Sequence, residues 1–237
     1  MNNLVWFRND LRVQDNISLA KASLGEKVIG VYCFDPLYFK PGDFGFKKTE
    51  RYRAKFLIES VMELRDNLRK HNIPLFVYVG KSSVCIAELI KEQKINDVYL
   101  QKEWTRDETS ILDSVKKNVS ENVNFHESYD QFLFHPEDIP YRSYDDIPKV
   151  FTDFRKKCEK FCNVRTEEKF EKIFPETNFL ENQTIIPTLT NLGLVEPMED
   201  SRSAFPFNGG ETMALQRIKH YFGKLKNSRI IKKQEMA

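Results

Sequence analysis

Short apolar runs alternate with longer polar stretches that carry an apolar stripe, and this rhythm holds for the first 128 residues. Leu4 to Phe7 is the first run, of a length that suits a buried strand. Ile17 to Leu24 predicts a short helix, with Asn16 placed to cap it. Lys27 to Phe34 predicts a second strand, ended by Asp35-Pro36. Thr49 stands where a cap would open a long helix, whose stripe is Leu57, Val61, Leu64 and Leu68. Pro74 to Val79, Asp97 to Gln101 and Asn122 to Glu127 predict three more strands. Between them, Ser82 is placed to cap a helix running through Lys94, and Thr105 to open another. Strands joined by helical crossovers predict an α/β fold: a five-stranded parallel sheet with helices on both faces.

Past residue 130 the rhythm breaks. His135-Pro136, Ile139-Pro140 and Ile147-Pro148 predict an extended connector, because the residue before proline avoids the helical region. Pro148 to Cys162 predicts a single helix. Residues 163–207 carry Pro175, Pro187, Pro197 and Pro206 with little periodicity, as a long linker does. Asn208-Gly209-Gly210-Glu211 then opens a last helix, with Glu211 at capping-box spacing from Asn208. Met213, Leu215, Ile218, Tyr221 and Phe222 give that helix an apolar surface, and Lys224 to Ala237 is basic without a strong pattern.

Composition narrows the classes. A net charge of +2 gives no bulk electrostatic reason to bind nucleic acid. No apolar run approaches the roughly 18 residues of a membrane span, and no signal peptide is visible, which predicts a cytoplasmic protein without membrane contact. The four cysteines form no Cys-x-x-Cys pair; Cys158 and Cys162, with Phe151, Phe154 and Phe161, read as core positions of one helix. The four histidines are scattered, so no metal site is expected. No Gly-x-Gly-x-x-Gly follows the first strand, which argues against a nicotinamide dinucleotide.

The topology puts candidate chemistry at the carboxyl ends of the strands. The first strand runs into Arg8, Asn9, Asp10, Arg12, Asp15 and Asn16. Arg8, Asp10, Arg12 and Asp15 read as an internal ion network fixing the first loop, with direct ligand contact as the alternative. Residues 35–48 offer aromatic faces, including Phe44 and Phe46, and residues 101–108 offer Gln101, Lys102, Glu103, Trp104, Asp107 and Glu108. Aromatic surface beside carboxylates suits a flat heterocycle bearing hydrogen-bond donors. Glu108 has two readings: with Thr105 it fits a capping box, and it can equally contact a ligand. Glu103 has no capping role to explain it. Trp104 reads as packing, and Lys47, Lys48, Arg51, Arg53 and Lys55 as a solvated helix start.

Several motifs also carry a family resemblance. Trp-Phe-Arg-Asn-Asp-Leu-Arg from Trp6 with Asp15-Asn16, then Cys33-Phe34-Asp35-Pro36, Lys48-Thr49 with Arg53 to Leu57, Val150 to Lys156, and Phe207 to Leu215 together resemble the DASH branch of the cryptochrome and DNA photolyase family. The resemblance runs from residue 3 to about residue 222. It implies a Rossmann-like antenna domain over 1–130, a connector with one helix and a long linker over 131–207, and the start of an FAD-binding helical domain over 208–237. It further implies a folate antenna, methenyltetrahydrofolate, that passes excitation to the flavin, which repairs cyclobutane pyrimidine dimers, preferentially in single-stranded DNA. The folate contacts it implies fall on Gln101 to Glu108, with Asp107-Glu108 standing where related photolyases carry Asn-Glu.

The family's flavin-phosphate segment and its relay tryptophans have no counterpart in this sequence, where Trp6 and Trp104 are the only tryptophans. The expectation is therefore an antenna fragment: folate held weakly or lost, FAD not bound, and DNA engaged only if another chain supplies the flavin domain. Association through the exposed last helix is expected as well. Two other readings stay open, a stand-alone folate or nucleotide binder and an inert remnant.

Overall fold

The structure, a computed structural model, describes residues 1–182, 184–198, 202 and 207–226. Residues 227–237, the larger part of the basic end, lie outside the described residues. Five parallel strands, β1 (Asn2–Trp6), β2 (Lys27–Phe34), β3 (Leu75–Val79), β4 (Asp97–Gln101) and β5 (Asn124–Ser128), form one sheet in the order β3-β2-β1-β4-β5. The helices are α1 (Ile17–Ala22), α2 (Pro36–Phe39), α3 (Arg51–Arg69), α4 (Ser82–Glu92), α5 (Arg106–Lys117), α6 (Phe151–Phe161) and α7 (Glu211–Lys226).

Strand alternation divides the core into two layers. Val5, Phe7, Val28, Tyr32, Phe34, Leu75 and Val77 pack against α1 and the Val61, Leu64 and Leu68 stripe of α3. Leu4, Trp6, Ile29, Val31 and Phe76 pack on the other face against Ile86, Leu89 and Ile90 of α4 and Leu112 and Val115 of α5. Gly30 sits in the middle of β2 because a Cβ there would lie 3.0 Å from both Leu75 and Phe7. Asn16 caps α1 as expected, accepting from the Leu19 amide at 2.9 Å.

Two other caps differ from the local expectation. α3 begins one residue after Glu50, because the Thr49 amide is still bonded to the Tyr38 carbonyl and the Thr49 side chain is buried. Ser82 is the first helical residue of α4 and caps nothing itself. Its amide and its hydroxyl both donate to Asp35 Oδ2 at 2.8 Å. The carboxylate at the end of β2 thus serves two helix starts, since its other oxygen accepts from Leu37 of α2 at 3.0 Å. An anion at a helix amino terminus is favoured by both the free amides and the dipole.

The α6 expectation is corrected. Cys158 is buried, but Phe151 is 72 % and Phe161 58 % exposed, so the stripe is not a core face. The helix lies outside the layered sheet, and Phe154 instead stacks on Tyr141 with 5.6 Å between ring centres. Among the described residues of 163–198 the regular elements are two short 3-10 turns, yet the stretch runs back over the α1–α3 layer. Phe174, Leu189, Leu192 and Leu194 are buried in that core. Asn178, 4 % exposed, accepts from the Val28 amide and donates to the Val28 carbonyl, both at 3.0 Å. One side-chain amide thereby pairs with both backbone polar groups of a buried strand residue.

The start of α7 docks on α3. The amides of Gly209, Gly210 and Thr212 donate to Glu59 Oε2 (2.7 Å), Ser60 Oγ (3.1 Å) and Glu63 Oε1 (2.7 Å). Gly209 approaches so closely that a Cβ would stand 2.1 Å from the Phe56 carbonyl. Glu211, placed at capping-box spacing from Asn208, reaches across to the first loop. Its carboxylate accepts from Val13 and Gln14 at 3.0 and 2.7 Å, tying the helix to the β1–α1 loop. Farther along, Ile218, Tyr221 and Phe222 are each more than half exposed.

Candidate functional site

The chain steps from β1 outward to β2 and β3, then returns to place β4 on the other side of β1. Loops leaving β1 and β4 therefore diverge, and open α/β sheets bind ligands in the crevice this makes. Here the crevice is an open cleft whose walls include Arg8, Asn9, Tyr38, Arg53 and Glu108.

Asn9 organises the mouth. Its side-chain amide donates to Glu103 Oε1 at 2.9 Å and to Glu108 Oε1 at 3.1 Å. Gln101 Nε2 donates to the same Glu103 oxygen at 2.8 Å. Burial pushes the Glu103 carboxyl above its ordinary range against these donors, and Glu108 nearby adds to the rise. Burial, then the Glu108 charge, pushes the Tyr38 hydroxyl up to about 12.

Glu108 takes no backbone amide: α5 has no side-chain cap, and Glu108 Oε2 accepts from the Thr105 hydroxyl at 2.6 Å. The capping-box reading is thus replaced by a contact between side chains, which leaves the carboxylate facing the cleft. Arg8 lies over the Trp6 ring and donates through Nη2 to the Glu108 carbonyl at 2.7 Å. Its other terminal nitrogen, Nη1, is buried without a hydrogen-bond partner. An orphan guanidinium nitrogen beside a cleft is an offer to an acceptor on a ligand.

Gln101, Glu103 and Glu108 therefore come together around Asn9. Asp107 turns away and pairs with Lys48, whose ammonium holds its carboxyl below the usual range. Phe44 and Phe46 sit on a small hairpin closed by the Pro41–Lys47 bridge, 88 % and 78 % exposed, and do not wall the cleft. Trp104 stacks on Tyr129 with 4.9 Å between ring centres.

Arg8, Asp10, Arg12 and Asp15 make no ion pair with one another, and the first loop is held by other partners. Asp10 accepts from the Arg8 backbone amide at 2.9 Å and from Asn16, and Arg12 pairs with Asp130 at 3.0 Å. Asp15 holds a positive φ of 49° and accepts from the Glu168 amide at 2.8 Å. Sequence reasoning did not single out Asn9, Tyr38 or Arg53 as site residues. Only the position of Asn9, directly after an apolar strand, was a local signal for any of them.

The fold is a parallel α/β domain with a polar cleft at its switch point, the place where such sheets take ligands. The comparisons specify it further: the DNA photolyase family model matches residues 3–176, and the chain belongs to that family. It is 37 % identical over 221 residues to the cryptochrome DASH of Gloeobacter violaceus, covering 92 % of this chain and 44 % of that protein. The cryptochrome DASH of Danio rerio is 38 % identical, with 91 % and 42 % covered. Among solved structures, a Synechocystis cryptochrome superposes with a TM-score of 0.82 at 32 % identity, over 93 % of this chain and 46 % of that one. An archaeal photolyase from Sulfolobus tokodaii, described with two FAD molecules and the implication of a novel light-harvesting cofactor, gives 0.70 at 26 % identity over 91 % and 45 %. The chain thus spans less than half the length of these relatives. Among the described residues no helix is long and apolar enough to cross a membrane, and no cluster could hold a metal ion.

Proposed function

We propose that these residues are the light-harvesting part of a DASH-type cryptochrome or photolyase, holding a folate-class antenna at the Asn9–Glu103–Glu108 cluster. The observation that carries this reading is the single Asn9 amide bridging two carboxylates at the mouth of the cleft. A pterin ring presents adjacent N–H donors, and a carboxylate accepts such a pair bidentately. Glu103 and Glu108 would take those donors, releasing the Asn9 amide, while Arg8 Nη1 supplies a donor for a ring or carbonyl acceptor. Bound there, methenyltetrahydrofolate would supply near-ultraviolet absorption and pass the excitation on. The protein's own part is to hold the ring and keep water from its edge.

We assign FAD binding and DNA repair to the further length that the relatives have and these residues do not cover. The exposed end of α7 would meet that further part, whichever polypeptide carries it. A folate held from one side only loses half its burial, so affinity in the isolated chain is low.

Equilibrium titration with methenyltetrahydrofolate, followed by its absorption band and fluorescence, tests the reading. A saturable, weak association is expected, and absence of saturation overturns it. The cleft itself, together with the two-flavin Sulfolobus tokodaii photolyase, favours a second reading in which the antenna is a flavin. Saturation by FMN or FAD but not by the folate would select that one.

A further inference from the structure

Two thiols far apart in sequence meet behind the cleft. Cys33 lies one residue before the end of β2, and Cys85 lies in the first turn of α4. Both crowd Gly80, the residue after β3. Cys33 Sγ donates to the Gly80 carbonyl at 3.2 Å, and Cys85 Sγ is 2.8 Å from where a Cβ on Gly80 would stand. The two thiols lie within interaction range of each other across Gly80. Both are free and only partly buried, and Cys33 forms part of the cleft wall.

We propose that Cys33 and Cys85 are a redox-active dithiol, a modification site that hydrogen peroxide converts to a disulfide. The division of labour follows from the pairing. The neighbouring Cys33 thiol lowers Cys85, against burial and the nearby charges of Glu88 and Asp35. Cys33 is raised by the same pairing and by burial. The thiolate is the nucleophile in such chemistry, which assigns the attack to Cys85 and the resolving step to Cys33.

Cys85 thiolate attacks one peroxide oxygen, the O–O bond breaks, and hydroxide leaves to be protonated to water. The product is Cys85 sulfenic acid. The Cys33 sulfur then attacks the Cys85 sulfur, forming the S–S bond and expelling the oxygen as a second water with the Cys33 proton. Two thiols are oxidised and one peroxide is reduced. A dithiol reductant reverses the change by exchange. The cross-link would fasten the first turn of α4, whose Ser82 is bonded to Asp35, directly to β2 beside the cleft wall.

The second pair supplies an internal control. Cys158 and Cys162 are also neighbours, but Cys158 is buried with its thiol raised by that burial, and Cys162 donates to the Asp138 carbonyl at 3.3 Å. The experiment treats the reduced full chain with stoichiometric hydrogen peroxide, blocks remaining thiols with iodoacetamide, and maps peptides without reduction. A Cys33–Cys85 linked peptide is expected, with alkylatable thiols falling from four to half that number and recovering in dithiothreitol. Cys33→Ser should halt at a sulfenic acid on Cys85 that dimedone traps, and Cys85→Ser should lose both products. The proposal is overturned if wild type accumulates sulfinic acid on Cys85 without a cross-link. A Cys158–Cys162 link in place of Cys33–Cys85, or unchanged peroxide consumption in Cys85→Ser, overturns it as well.

Discussion

Two carboxylate clusters lie on either side of the loop that leaves β1, and they are satisfied in different ways. Asp10 and Asp130 face inward. They accept from the backbone amides of Arg8 and Ile17, and Arg12 adds a guanidinium at 3.0 Å from Asp130. Glu108 faces the cleft, Glu103 shares the Asn9 amide with it, and the two take their hydrogen bonds from Asn9, Gln101 and Thr105 side chains. Backbone donors cannot leave without unfolding the loop, whereas side-chain donors rotate away when a better one arrives. The first cluster therefore fixes the fold, and the second holds acceptors in place while leaving them exchangeable, as a binding site requires.

The largest expected effect is on the inward side. Asp10→Ala removes a carboxylate 1 % exposed and leaves the Arg8 amide and one Asn16 donor without that acceptor. Stability should fall by about 2 kcal/mol, read as a Tm lower by about 4–8 °C. An unchanged Tm would erase the distinction between the two clusters.

Next in size is the tie from the same loop to α7. Glu211→Ala deprives the Val13 and Gln14 amides of their acceptor and should cost about 1 kcal/mol. Hydrogen exchange should quicken along α7 while β1 and β4 stay protected. Gly209→Ala should give the same pattern by a steric route, since the new methyl meets the Phe56 carbonyl. Equal acceleration across the sheet would mean that α7 is part of the cooperative core and not an attachment to it.

Smaller again is a pH effect. Burial raises Asp130 to about 6, over the opposing pull of Arg12. A carboxyl raised in the folded state favours folding fully below its unfolded value of 3.8, and that contribution is lost as pH rises through about 6. Stability of the wild type relative to Asp130→Asn should therefore fall between about pH 4 and pH 6. A difference that instead grows over that window would mean the Arg12 pair outweighs burial.

Local pattern made the sheet legible because each strand is a continuous apolar run and each helix has a stripe. It misplaced contacts made across the chain. Ser82 looks like a cap because nothing nearby reveals that Asp35, 47 residues away, supplies the acceptor. Glu211 sits at capping-box spacing, yet its partners lie almost 200 residues earlier. Asn178 looks like any polar residue of a proline-bearing stretch, and only the fold brings it to β2. At the site, Glu103 and Glu108 were legible because their loop is short and follows a strand. Phe44 and Phe46 were misleading for the opposite reason, since an aromatic in a long loop carries no signal of which way the loop folds.

The smallest expected stability change belongs to Glu108→Gln, and it separates the clusters most directly. A capping glutamate would lose about 1 kcal/mol on such a change. Glu108 instead accepts from the Thr105 hydroxyl and the Asn9 amide, and a glutamine can keep an acceptor for one of them. Thermal stability should move by no more than about 0.5 kcal/mol. Folate affinity, if Glu108 accepts from the ring, should drop about tenfold, because a charge-assisted pair becomes a neutral one with a donor facing a donor. Lost stability with unchanged affinity would return Glu108 to the structural side of the loop, leaving Glu103 as the acceptor that defines the site.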